Sequence, residues 1–137
     1  MLLQPKKTKY RKYFKPRLLP KTTNKPKKLN EQNCFALISL ASGHINGRQL
    51  EAARQNIRRK IKREGKLEIV LLPDKAISNK PTSARMGKGK GKVHHWIAPI
   101  PAGKPILLLY GIDKERGFPA LKAGANKLPL KVKIQNV

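Results

Sequence analysis

An α+β fold is expected for this chain: a single small domain with a mixed or antiparallel sheet, two helices, a basic N-terminal extension and a long Gly/Lys loop. Three observations point to it. Most apolar runs are strand-sized, two segments carry helix start and stop signals, and 137 residues with 39% hydrophobic content suffice for one modest core. That content is below the roughly 45–50% of an average globular domain, which fits a core carrying basic extensions.

Residues 1–30 form the extension. They hold eleven Lys or Arg, four Pro and no acid, interrupted by Tyr10, Tyr13 and Phe14. Like charge with Pro spacing buries too little apolar surface to offset chain entropy, so this segment should order only against a partner. The aromatics either stack on bases or ribose, or pin the tail to its own domain.

The α+β domain is expected over 31–137. Residues 34–40 are a short apolar run closed by Ser42-Gly43, as in a buried strand, with Cys34 a small core residue. A helix follows, with Asn46 as N-cap, Gln49 completing a capping box and Gly65 placed as a left-handed C-terminal cap. Leu50, Ala53, Ile57 and Ile61 share one face. Arg48, Arg54, Arg58, Arg59, Lys62 and Arg63 occupy much of the rest, more charge than solubility requires, so phosphate contact is expected of that face.

Residues 67–72 are strand-like and stop at Pro73-Asp74. The segment 75–93 is poor in bulky apolar residues and free of acids, and a functional loop is expected over 78–93. Strands resume at 93–98 and 106–112, joined by a turn at 101–104. A short helix is expected from Pro119, in its first turn, to about Lys127, with Pro129 stopping it. Leu130, Val132 and Ile134 then alternate with lysines, as in a half-buried strand.

Thirty-two Lys and Arg against seven Asp and Glu give a formal charge of +25 and a pI near 10.8. Such a chain repels itself unless a polyanion neutralises it; nucleic acid leads, and an anionic membrane surface comes second. A membrane-surface role needs an amphipathic helix with bulky aromatics, which the helix after Asn46 lacks. No apolar run approaches a membrane span. One cysteine excludes an internal disulfide and a paired-cysteine zinc site. The first residues lack a secretory core and Pro5 argues against a presequence helix, so the chain is expected to act where it is made.

Enzymatic readings fail on spacing. In a P-loop, Gly, four residues, Gly and Lys precede a Ser or Thr; here Gly87 leads to Lys92 and then to Val93, which has no hydroxyl. The dinucleotide fingerprint lacks its third Gly and its helix. The seven acids are scattered, and none lies in the Gly-rich segment. His94 and His95 are adjacent in a strand, so they are expected on opposite faces and unable to chelate one metal. No cofactor, no metal and no catalytic residue is expected. Arg85, Met86, Gly87, Lys88, Gly89, Lys90, Gly91 and Lys92 instead suit a loop that follows RNA closely. Glycines let the backbone approach, lysines meet phosphates, Arg85 offers a planar fork and Met86 a soft apolar surface.

Several separated motifs then agree in order with a known family. They are Met1-Leu2-Leu3-Gln4-Pro5-Lys6 with Lys9-Tyr10-Arg11-Lys12, Gln49-Leu50-Glu51-Ala52-Ala53-Arg54, Arg63-Glu64-Gly65-Lys66 and Pro73-Asp74-Lys75-Ala76-Ile77. Lys80-Pro81, the run from Arg85 to Gly91 and Lys127-Leu128-Pro129 complete the set. On these the chain resembles the bacterial-type large-subunit ribosomal protein sixteen family. The resemblance implies an α+β domain lodged in large-subunit rRNA near the aminoacyl-tRNA site, with neighbouring large-subunit ribosomal proteins as further partners. It implies that Arg85, Met86, Lys88 and Lys90 form a loop toward the peptidyl-transferase region that helps position aminoacyl-site tRNA, while Lys9, Arg11, Lys12 and Arg54 bind rRNA. Lys6, Lys7, Arg48, Arg58 and Arg59 join the rRNA-binding set on charge and position.

The chain departs from the family in lacking a Gly-rich stretch within 16–45 and in placing Gly117 and Pro119 where an acidic helix is usual. Richness in Lys, Asn and Ile, the start at Met1 and drift from bacterial sequence point to an organelle-encoded, mitochondrial copy, with bacterial cytoplasm or a plastid as alternatives. A free architectural nucleic-acid-binding protein is the competing function; it needs the charge but not the motif order.

Overall fold

The computed structural model describes residues 4–18, 20, 34–87 and 89–136. Among these residues seven strands and two helices follow one another as β1 (Cys34–Ser39), β2 (Gly43–Asn46), α1 (Gly47–Lys60), β3 (Lys66–Ile69), β4 (Lys75–Asn79), β5 (Lys92–Ile100), β6 (Pro105–Tyr110), α2 (Lys114–Ala125) and β7 (Val132–Asn136). The fold is α+β. Every strand pair is antiparallel, and the strands divide into two sheets, ordered β3-β6-β1-β7 and β2-β5-β4. Among the described residues no helix is long and apolar enough to cross a membrane.

β1 and β6 form the centre because both are continuous apolar runs. Strand alternation sends Phe35 and Leu37 into the main core with Leu107 and Leu109, while Cys34, Ala36 and Ile38 meet Leu108 and Tyr110 on the opposite face. Cys34 is fully buried, as its apolar neighbours predict.

The start of α1 follows the capping box. The Asn46 side chain accepts from the Arg48 amide, and Gln49 Oε1 accepts from the Asn46 amide at 2.9 Å. Its end differs from expectation. The helix stops at Lys60, with Ile61 as C-cap, and the left-handed residues that close it are Lys62 (φ 51°) and Arg63 (φ 68°). The Arg63 amide donates to the Arg58 carbonyl and the Lys62 amide to that of Arg59, a Schellman pattern with lysine where glycine is usual. Gly65 is also left-handed, but its role is to bring the chain onto β6: a Cβ there would lie 2.5 Å from the Tyr110 carbonyl and 2.5 Å from the Ile112 side chain.

α2 begins at Lys114, five residues before the expected start, so Pro119 lies inside the helix and not in its first turn. Gly117 and Pro119 look like breakers in sequence. Tertiary packing decides otherwise, because Gly117, Ala120, Leu121 and Gly124 are the buried face, and small residues let α2 approach Phe35 and α1. Asn56 Nδ2 donates to the Ala123 carbonyl at 2.9 Å, tying the two helices together, and Arg116 pairs at 2.9 Å with Glu64 in the turn that follows α1.

Two strands went unanticipated. β2 is only four residues long, and β4 is an edge strand with Ala76 as its one buried side chain, so neither carries a strong apolar alternation. With β4 reaching Asn79 and β5 starting at Lys92, the connection between them spans 80–91, narrower than the expected 78–93.

Candidate nucleic-acid interface

Helix α1 turns Leu50, Ala53 and Ile57 inward, each at 0% exposure, which fixes the outward direction of its cations. Arg54, Gln55, Arg58, Arg59, Lys62 and Arg63 line an open cleft of about 580 Å³. Arg54 and Arg58 are one turn apart, as are Gln55 and Arg59, and the left-handed turn carries Lys62 and Arg63 round to complete the wall.

These cations are not equivalent. Glu51 takes both arms of the Arg54 fork, Nε at 2.9 Å and Nη2 at 2.6 Å, and also accepts from Gln55. The hydrogen bonds from Arg54 hold the Glu51 carboxyl well below its usual range, at about 2, and raise the Arg54 pKa in return. Arg54 therefore presents a neutralised pair. Arg58 differs: its Nε–H is buried and has no acceptor among the described residues. Arg58 stands in a cleft walled by four further cations, and their convergence makes the cleft a place for an anion.

Arg48 stands apart from this cleft, at the other end of α1. Its charge, after burial and the neighbouring His94, helps to lower the pKa of His95. The histidines do not point to opposite faces. Ile77 pairs with His95 and Ser78 with Val93, so His94 is the extra residue of a β-bulge, which brings His94 Nδ1 to 2.8 Å from His95 Nδ1. One ring donates and the other accepts, so at least one is neutral. Among the described residues no group of three or more His, Cys, Asp or Glu could hold a metal.

The second basic region is the connection 80–91 with the tail laid against it. Arg85 is exposed and Met86 is 100% exposed; Gly87 and Gly89 have φ of 93° and 73°, and a Cβ at either would point into open space. Lys88 lies outside the described residues. Lys80 Nζ donates to the Gly87 carbonyl at 2.6 Å, bridging the loop's base to its tip. Lys90 faces inward. Its ammonium donates to the Tyr13 carbonyl and sits 4.8 Å from the Phe14 ring centroid, while Lys12 Nζ donates to the Lys90 carbonyl at 2.8 Å. Lys75 lies 5.1 Å over the Tyr13 ring. Tyr13 thus joins the tail to the domain through Lys75, whereas the Phe14 ring is 92% exposed, so the tail aromatics are compatible both with contact to the domain and with stacking on a base.

Arg11 and Lys12 line a smaller cleft with Lys92 and Val93, whereas Lys6, Lys7 and Lys9 are exposed along the tail. The structure therefore gathers the candidate residues into two groups: Arg54, Arg58 and Arg59 on α1, and Arg11, Lys12 and Lys92 beside the loop. Lys62 and Arg63 complete the first group, and their conformation beyond the helix end could not be read from spacing. The loss of Arg54 to Glu51 could have been, since the two are three residues apart on a helix.

Residues 5–135 match the family described as ribosomal protein L16p/L10e. The chain is similar to the large ribosomal subunit protein uL16 of Blochmanniella pennsylvanica, with 45% identity covering 98% of each chain. It is 46% identical to the uL16 protein of Psychrobacter arcticus over 97% of this chain and 96% of that one. With the uL16 protein of Halorhodospira halophila it shares 42% identity over 98% and 97%.

Proposed function

Because the chain belongs to the ribosomal protein L16p/L10e family, a family of structural, non-enzymatic proteins, we propose that it is a structural constituent of the large ribosomal subunit that binds large-subunit rRNA. In this reading the α1 cleft and the N-terminal extension hold rRNA phosphates, and the loop 80–91 helps to position aminoacyl-site tRNA near the peptidyl-transferase centre. Neighbouring ribosomal proteins are its other partners.

The observation that carries the reading is the α1 cleft, where Arg58, Arg59, Lys62 and Arg63 converge. Phosphate contacts of this kind fix register and orientation on an RNA, which is what a lodged structural subunit needs. The loop supports the second half of the reading. Its exposed Arg85 and Met86 stand on a glycine-containing segment in which Lys80 holds the Gly87 carbonyl and Lys90 the Tyr13 carbonyl, so both side chains are presented to solvent.

Crosslinking of the tagged protein in its native cells tests both halves. Crosslinks from the α1 cleft and from the loop to large-subunit rRNA around the tRNA-accommodation region are expected; crosslinks scattered over many RNAs would favour a free architectural nucleic-acid-binding protein. Arg85→Ala with Lys88→Ala should slow translation while leaving subunit assembly nearly intact, and an equal loss of assembly would refute a separate role for the loop. A mitochondrial copy is supported by the richness in Lys, Asn and Ile. The relatives named above are all bacterial, and finding the gene in a compact bacterial genome would overturn the mitochondrial assignment.

A further inference from the structure

The side chains that line the α1 cleft divide unevenly into donors and acceptors. Arg54, Arg58, Arg59, Lys62 and Arg63 can only donate. Gln55 is the exception, and its amide is oriented. Nε2 donates to the Glu51 carboxylate at 3.0 Å, and an ionised carboxylate can only accept, so the amide cannot be turned over. Its Oε1 is left as the one side-chain acceptor among the described residues of the cleft, on an exposed residue.

We propose that this cleft takes the ribose-phosphate backbone of double-helical RNA, with its cations on the phosphates and Gln55 Oε1 accepting a hydrogen bond from a ribose 2′-hydroxyl. Gln55 is then a specificity-determining residue, which tells RNA from a polyanion lacking that hydroxyl. The inference rests on the RNA-binding reading above and names the form of RNA and the group that this surface reads.

The lining selects the occupant. A wall of cations calls for several phosphates, but a phosphodiester carries only acceptors and has nothing to give Gln55 Oε1. The 2′-hydroxyl is the donor that RNA supplies beside each phosphate and that DNA lacks. No aromatic ring lines the cleft among the described residues, so the platform on which single-strand sites stack unpaired bases is missing there; the exposed Tyr10 and Phe14 belong to the tail. The bases are therefore left in their own stack. In A-form RNA the wide, shallow minor groove displays 2′-hydroxyls alongside the phosphates, where side chains projecting from a helix can meet both.

Charge and specificity sit on different residues and can be separated. Lys62 and Arg63 extend the cations past the end of α1 because both hold left-handed conformations, with φ of 51° and 68°. Glycine adopts that conformation readily, so Lys62→Gly removes one charge and keeps the turn. Gln55→Met removes the acceptor and keeps the net charge and the helix propensity.

The test uses the full chain with an RNA duplex of about 16 base pairs, the same duplex carrying fluorine in place of each 2′-hydroxyl, and one RNA strand alone. The fluorinated duplex keeps the A-form and loses the donor. At equal salt the RNA duplex should bind about fivefold more tightly than the fluorinated one, the worth of one net hydrogen bond. It should also shift the Gln55 side-chain amide resonances further, a readout that needs no variant. Gln55→Met should bring the two affinities together by lowering that for RNA. Lys62→Gly should weaken both alike and reduce the slope of log affinity against log salt by about 0.9, with the ratio between them kept. Equal affinities in the wild-type chain would overturn the proposal, as would a preference that survives Gln55→Met. Tighter binding of the single strand, with the Tyr10 and Phe14 rings perturbed, would overturn it in favour of base stacking on the tail. Failure of every probe to bind at low salt would instead overturn the RNA-binding reading itself.

Discussion

Helix α1 and the loop 80–91 carry similar charge on opposite kinds of support. The cations of α1 project from a helix whose inner face, Leu50, Ala53 and Ile57, has no solvent exposure. Those of the loop project from a backbone with exposed Met86 and left-handed glycines, steadied among the described residues where Lys80, Lys90 and Lys12 reach carbonyls. A rigid face suits an RNA held in one register, and a hinged one suits a ligand that comes and goes. The difference lies in packing, because composition alone does not separate the two.

The sharpest way to break the contrast is to truncate one apolar side chain in each region. Ile57→Ala should lower stability by about 2–5 kcal/mol, since it opens a hole beneath α1 where Gly124 packs closely. Met86→Ala should change it by less than about 0.5 kcal/mol. Equal effects in denaturant melts would show that the loop is packed after all.

Within α1 the contrast sharpens at single cations. Arg58→Ala with Arg59→Ala should weaken RNA binding and reduce the slope of log affinity against log salt by about 1.5, as loss of two phosphate contacts requires. Arg54→Ala should weaken it less than Arg58→Ala alone, because Glu51 already occupies the Arg54 fork. A larger loss for Arg54 would mean that RNA displaces Glu51.

The loop's own support is tested from the tail. Tyr13→Ala with Phe14→Ala removes two cation–π contacts, each worth about 0.5–1 kcal/mol at an exposed site. Amide exchange around Lys90 should quicken by about fivefold or more, with the global melting midpoint unmoved. The smallest expected effect is on pH. The Glu51 carboxyl titrates near 2 when folded against an ordinary value of 4.5, so its stabilising pair with Arg54 is fully present above about 4.5 and is lost as pH falls toward 2. Glu51→Gln should remove that part of the acid dependence, which a series of melts between those pH values would show.

Much of this was legible in the chain. The apolar runs of β1 and β6, the Asn46 capping box, the basic face of α1 and the Gly-Lys segment are local signals, decided by neighbours within a few residues. α2 was legible only in part, because Gly117 and Pro119 weaken a helix in isolation, whereas here the missing side chain at Gly117 is what lets α2 seat against Phe35. The histidines misled for a related reason: alternation along a strand holds until a bulge inserts a residue, and the bulge is set by pairing with β4.

What the sequence determined by itself is the charge, the order of the motifs that place the chain in its family, and the elements whose hydrophobic period is strong. Tertiary structure alone decided which cations act together. Arg54 is withdrawn by Glu51, Lys90 is engaged by the tail, and Lys62 is carried by a left-handed turn to the wall of the basic cleft. The physical reason is that charge and propensity belong to single residues and short windows, whereas convergence of side chains depends on contacts between segments far apart in the chain.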